Sequence, residues 1–185
     1  MKIKTLEIPD VKVLYPAKFD DDRGFFSEIY NKSTYEKIGI QEEFVQDNHS
    51  LSRAVGVIRG LHYQCSPFAQ AKLVRVVRGT ILDVAVDIRK NSETFGRWVS
   101  AEISAQAWNQ IYIPKGFAHG FVTLEENTEV NYKVSARYAP ELEKSIAWND
   151  PALKIEWRIS EGAVTLSDKD RQPMSFAAYC QCPDF

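Results

Sequence analysis

The sequence predicts a mainly β chain, folded as a sandwich or barrel of the jelly-roll type in a single domain over residues 1–185. Three observations point there. Short runs with apolar and polar residues alternating at period two recur through most of the chain. Turn-forming clusters separate these runs at short intervals. One helix is well signalled, and the length suits one domain with a sizeable core.

The elements follow in order. The runs VKVLY (11–15) and FFSEIY (25–30) carry strand-type residues. Next, NKSTYEKIG (31–39) reads as a helix. Ser33 is its expected N-cap, Glu36 three residues on completes a capping box, and Gly39 is the left-handed stop. The stretch VIRGLHYQ (57–64) places Arg59 and His62 close together on a strand. Further runs are KLVRVV (72–77), TILDVAVDI (80–88), RWVSAEI (97–103), QIYIP (110–114), GFVTL (120–124) and VNYKVSARY (130–138). Turns are marked by Arg78-Gly79-Thr80, Lys90-Asn91-Ser92, Pro114-Lys115-Gly116 and Glu125-Glu126-Asn127. The carboxyl third, beginning PELEKSIAWND, is richer in proline and charge and is expected to wrap the sheet as loops and short helices.

Composition excludes some partners. A formal net charge of -2 lacks the basic excess that phosphate backbones select, so nucleic acid is not the expected partner. The amino terminus, MKIKTLEIPDVKVLYP, has no apolar core of a signal peptide, and no apolar run approaches membrane-spanning length. The expected setting is the cytoplasm, where Cys65, Cys180 and Cys182 remain free thiols.

Several residues are candidates for chemistry. A lone histidine is usually structural, but His62 lies three residues after Arg59, a permanent cation that suits an anion. Strict alternation puts the two on opposite faces, and a bulge at Gly60 would re-aim one of them. Lys72 shares a face with Val74 and Val76. It is either a snorkelling edge residue, which the strand alone favours, or an ammonium aimed into a cavity. Asp83 and Asp87 share a face with Ile81 and Ala85, so one of them is expected to meet an inward cation. His119, between Ala118 and Gly120, has neighbours small enough for a ligand to approach. Tyr132 and Tyr138 fall on one strand face by even spacing; packing is the common use there and a general acid the rarer one. Arg23, beside Phe25 and Phe26, suits a phosphate contact near a stacking surface. Asp168 or Asp170 could orient a distant histidine. A metal is not expected, because His62 is followed by Tyr63 and Gln64 rather than a second histidine, and three isolated histidines make no facial triad.

Taken together, the segments RGFFSE, FVQDNHS, RGLHYQ, KLVRVVRG, DVAVDIRK, PKGFAHGF and SDKD resemble the dTDP-4-dehydrorhamnose 3,5-epimerases. These are cupin-fold enzymes of dTDP-L-rhamnose formation. The resemblance runs from about Ile3 to about Asp170 and leaves out the tail FAAYCQCPDF. It implies a cupin-type jelly roll without metal or other cofactor. His62 would be the base, Asp170 its orienting carboxylate, Tyr132 the acid on the opposite face of the sugar, and Lys72 the cation at the enolate oxygen. Arg59 and His119 would help place the sugar and diphosphate. Arg23, Glu28, Gln46, Asp47, Asn48, Glu143 and Lys169 would contact the nucleotide sugar, with Phe26 and Tyr138 packed against thymidine. Relatives exchange amino-terminal strands in a homodimer, so Arg23, Phe26 and Glu28 would serve the partner's site.

The chemistry agrees with that expectation. Inverting a carbon beside a ketone needs a base on one face of the ring and an acid on the other. A histidine, with reference pKa ~6.5, is available as a base near neutrality, and a tyrosine, at ~10, is protonated at rest. Three rivals stand beside this reading. One is a relative inverting C3 or C5 alone. Another is a sugar 3,4-ketoisomerase, which would want a second histidine beside the base. The third is a non-catalytic sugar-nucleotide binding module.

Overall fold

Alternation along the chain is realised as two facing sheets, and the computed structural model describes residues 1–185 apart from the side chain of Glu161. The strands are β1 (Lys2–Thr5), β2 (Lys12–Tyr15), β3 (Phe19–Asp21), β4 (Gly24–Phe26), β5 (Gln46–Ser52), β6 (Ile58–Gln64) and β7 (Lys72–Arg78). They continue as β8 (Thr80–Asp87), β9 (Trp98–Ser104), β10 (Gln110–Ile113), β11 (Phe117–Thr123), β12 (Thr128–Val134) and β13 (Glu143–Ser145). One sheet has the order β1-β2-β10-β7-β12-β5 and the other β13-β6-β11-β8-β9, while β3 and β4 form a separate hairpin. All the pairings between these strands are antiparallel, as a jelly roll requires.

Three apolar clusters hold the layers. Between the sheets lie Val74, Val76, Ile81, Ala85, Ile103, Ile111, Phe117 and Phe121. The outer face of the five-stranded sheet packs Leu61, Tyr63, Val84 and Val122 against Trp148, Trp157, Phe176 and Tyr179 of the carboxyl third. Outside the six-stranded sheet, Leu14, Leu73 and Tyr112 meet Tyr35 and Ile40. Strand β8 therefore has both faces buried, which explains its nearly unbroken apolar sequence.

The carboxyl third does wrap the sheet, with a short helix α2 (Phe176–Gln181) and three single-turn segments, but it also supplies β13, which alternation did not reveal. Helix α1 (Lys32–Glu36) starts earlier than expected. Asn31 rather than Ser33 is its N-cap, the side chain accepting from Thr34 N at 3.3 Å, whereas Gly39 does take positive φ past the end. The expected strand at 25–30 ends at Phe26, because Ser27 turns to donate to Ala17 O at 2.7 Å. The expected strand at 130–138 ends at Val134. Beyond it the side-chain amides of Gln70 and Gln64 take the carbonyls of Ala136 and Arg137, so the ladder stops and Tyr138 sits on a loop.

Gly60 answers the alternation problem. His119 opposes His62 and Phe121 opposes Arg59, so two residues of β6, Gly60 and Leu61, face the single Gly120 of β11. This bulge brings Arg59 and His62 to the same side. Gly60 has φ +134°, and a Cβ there would lie 2.4 Å from Gly120 Cα and 2.7 Å from His119 O. Both partners are backbone and cannot move aside cheaply. Gly60→Ala is expected to cost about 3 kcal/mol and lower Tm by about 6–12 °C, read by thermal unfolding. A Tm within a degree of the parent would show that the bulge tolerates a side chain.

Candidate active site

The bulged strand opens onto a cavity of about 390 Å³ between the two sheets, within the range of small-ligand sites. Gln46 and Asn48 of β5, Tyr132 of β12 and Lys72 of β7 line it from the six-stranded sheet. From the five-stranded sheet come Arg59 and His62 of β6, His119 of β11 and Glu143 of β13. Tyr138, Lys169 and Asp170 close it from loops and the carboxyl-terminal segment.

His62 Nε2 lies 2.5 Å from Asp170 Oδ1, and Asp170 Oδ2 accepts from Ser167 Oγ at 2.6 Å. Burial works against the Asp170 charge, but the hydrogen bonds from His62 and Ser167 outweigh it and hold the carboxyl below its ordinary range. An ionised carboxylate only accepts, so in the neutral imidazole the proton sits on Nε2 and the lone pair on Nδ1. Asp170, not Asp168, is the orienting acid. Its short helical segment, Lys169–Arg171, turns Asp170 inward, where it is buried, and leaves Asp168 in solvent.

Lys72 departs from the edge position that its strand alone favoured. It faces the cavity, and its Nζ donates to the His62 carbonyl at 3.4 Å. Burial pushes its ammonium down to about 8, with Glu143 and Asp83 opposing that push. Tyr132 is half-buried on β12 of the same sheet as Lys72, opposite the sheet of His62. Burial raises its phenol above the ordinary value despite the nearby Arg59, so it holds its proton near neutral pH. His119 Nε2 lies 2.9 Å from Asp83 Oδ2, both side chains are buried, and burial pushes the imidazole down. Asp87, the other acid of β8, pairs with Arg89 at 2.7 Å outside the cavity.

The remaining contacts organise the mouth. Tyr138 OH donates to Glu143 at 2.6 Å, and Lys169 pairs with the same carboxylate. Those hydrogen bonds overcome burial and keep Glu143 below its ordinary value. Gln46 accepts from Tyr138 N at 2.9 Å and donates to Asn48 at 2.8 Å. Arg59 Nε bonds Ser52 Oγ at 3.3 Å, which leaves part of its guanidinium for an anion. Gln64 was missed at the sequence level, although period two from His62 marks its face. It bonds Phe68 O, Arg137 O and Ala139 N, and so holds the loop that carries Tyr138.

Four expected residues lie outside this cavity. Asp47 points to the other side of β5 and pairs with Lys133 at 2.7 Å. Arg23 is exposed on the β3–β4 hairpin and pairs with Asp21 at 2.6 Å. Phe26 of that hairpin is 70% exposed, and Glu28 accepts from Asn31 at 3.1 Å.

A jelly roll whose cavity sets a carboxylate-held imidazole on one sheet and a protonated tyrosine on the other is that of a cupin-type carbohydrate epimerase. The family profile described as dTDP-4-dehydrorhamnose 3,5-epimerase matches residues 5–178. The chain belongs to this family. It is 53% identical over 178 residues to the dTDP-4-dehydrorhamnose 3,5-epimerase of Pseudomonas aeruginosa, covering 96% of this chain and 97% of that one. Against the enzyme of the same name from Salmonella typhimurium it is 54% identical, covering 91% of each. The crystal structure of the Legionella pneumophila dTDP-6-deoxy-D-glucose-3,5-epimerase in complex with dTDP-4-keto-L-rhamnose superposes with TM-score 0.90 at 45% identity, covering 95% of this chain and 93% of that one.

Proposed function

We infer that the protein epimerises dTDP-4-dehydro-6-deoxy-D-glucose at C3 and C5 to dTDP-4-dehydro-L-rhamnose. The observation that carries this is the placement of His62 and Tyr132 on opposing sheets with the cavity between them. The substrate's 4-ketone acidifies the protons on C3 and C5. His62 Nδ1 takes one of them, Asp170 stabilises the imidazolium formed, and the electron pair moves onto the C4 oxygen as an enolate. The Lys72 ammonium faces that oxygen in a site of restricted solvent access, where fixed charge is most effective. Tyr132 then delivers a proton from the other face, so configuration inverts. Once His62 has released its proton to solvent and Tyr132 has regained one, repeating the cycle at the second carbon completes the reaction, and the ketone already present serves as the electron sink throughout.

Arg59 and His119 are assigned to placing the sugar and diphosphate. Gln46, Asn48, Tyr138, Glu143 and Lys169 are assigned to the nucleotide end of the cavity. Arg23, Phe26 and Glu28 complete the site of a second copy in a homodimer with exchanged amino-terminal strands. That assignment is supported by the solvent-facing hairpin with Phe19 62% and Phe26 70% exposed, and by β1, exposed along its whole length at a sheet edge. The chain acts as one domain, and the free thiols of Cys65, Cys180 and Cys182 suit the cytoplasm.

The test is proton NMR of dTDP-4-dehydro-6-deoxyglucose with the protein in deuterated water. Loss of both the C3 and C5 proton signals, with turnover by a rhamnose-forming reductase, is the expected result. Exchange at one carbon would make it a single-position epimerase. No exchange at either would overturn the catalytic assignment.

A further inference from the structure

We propose that Asp83 is a positioning residue for this reaction, a buried carboxylate on β8 that fixes His119 and supplies counter-charge to Lys72. The inference rests on the assignment of Lys72 to the enolate oxygen.

Asp83 is fully buried between the sheets, on the same face as Ile81 and Ala85. Carboxylates are costly to place there and persist only when paired. One oxygen accepts from His119 Nε2 at 2.9 Å, while Oδ1 has no partner among the described residues. A buried polar atom left open beside a cavity asks for an explanation. The pairing is not a consequence of strand register: Asp83 opposes Phe121, and His119 opposes Ala85, so the contact is diagonal. His119 in turn stands directly across from His62. Asp83, His119 and His62 thus form a row across β8, β11 and β6, with Lys72 facing them from β7.

Two consequences follow from this geometry. The carboxylate keeps the His119 proton on Nε2, so that Nδ1 can accept a hydrogen bond from a sugar hydroxyl. It also places negative charge near the Lys72 ammonium, which burial otherwise drives toward the neutral amine. The groups around Lys72 are Arg59 and His62 from β6, His119 from β11, Tyr132 from β12, Glu143 from β13, and Lys169 and Asp170 from the carboxyl-terminal segment. Among the carboxylates, Asp170 is engaged by His62 and Ser167, and Glu143 by Lys169 and Tyr138. Asp83 keeps one oxygen free.

Asp83→Asn separates charge from shape, since the amide oxygen can still accept from His119. The measurement is kcat/KM for the epimerisation from pH 6 to 10, which reports ionisations of the free enzyme. The parent should lose activity along an alkaline limb near the Lys72 value of about 8. In the variant that limb should move down by about 1 pH unit, so that the loss between pH 6.5 and pH 9 deepens from about tenfold in the parent to about eightyfold. An unmoved limb in a variant that still turns over would overturn the proposal. Absence of turnover in the parent would instead overturn the epimerase reading beneath it. If the variant does not fold, ¹⁵N spectra of the parent imidazoles decide the matter. The proposal requires His119 to be neutral and protonated on Nε2 from pH 6 to 9, and a proton on Nδ1 would sink it.

Discussion

His62→Asn should reduce turnover by ~10³- to 10⁴-fold while nucleotide affinity stays within about threefold. Asparagine keeps an amide near Asp170, so the strand and the orienting carboxylate have little reason to move, but it supplies no base. The imidazole sits at the end of a chain of contacts in which Ser167 holds Asp170 and Asp170 holds Nε2, so only Nδ1 remains to take a proton. Coupled assay with a rhamnose-forming reductase reads the turnover, and calorimetric titration with dTDP reads the affinity. Turnover within tenfold of the parent would remove His62 from the reaction. Loss of affinity in parallel with turnover would make it a binding residue instead.

Tyr132→Phe is expected to separate proton removal from inversion. The phenyl ring keeps the packing that Tyr132 makes against the inter-sheet cluster, and only the acid is lost. His62 can still abstract a proton and exchange it with solvent, whereas nothing delivers one from the opposite sheet. In deuterated water the variant should wash out substrate protons with retention of configuration, while inverted product falls by ~10²- to 10⁴-fold. Inverted product at the parental rate would show that water or another side chain performs the delivery. Exchange and inversion lost together would place Tyr132 in the abstraction step.

Much of the fold was legible because its strands are half-buried and alternate, as β7, β9 and β12 show. Strand β8 was legible from the same period two between clear turns, although both of its faces are buried. What escaped was short, exposed or polar. β1 has no buried residue and β13 has three half-buried ones, while β5 alternates in burial but is built almost wholly of polar residues, so none of the three leaves an apolar period. The N-cap was misplaced because two side chains compete for the same start, and the local signal does not say which turn forms. Tyr138 was assigned to a strand because alternation continues past Val134, while the glutamine amides that end the ladder lie far away in sequence.

In the site, Arg59, His62, Lys72, His119 and Tyr132 could be singled out residue by residue. The contact between Asp83 and His119 could not, since it depends on a diagonal between strands whose register only the fold defines. Glu143, Gln46, Asn48 and Lys169 were expected from family resemblance alone, and they gather at the mouth of the cavity. Arg23, Phe26 and Glu28 do not, because the hairpin that bears or adjoins them projects away from this chain's own barrel.

The bulge in β6 has a consequence for how this strand can change over time. Upstream of the bulge Arg59 looks into the cavity, and beyond it His62 and Gln64 do. The strand thus carries a shift of frame, with one extra residue as its only record. Deleting that residue would leave Arg59 and His62 two positions apart in a regular strand, still on one face and with His62 still opposite His119. The wall can therefore lose its bulge without exchanging its chemistry for its packing. A residue added or removed elsewhere in the strand has no such compensation and would turn the positions beyond it from the cavity to the core.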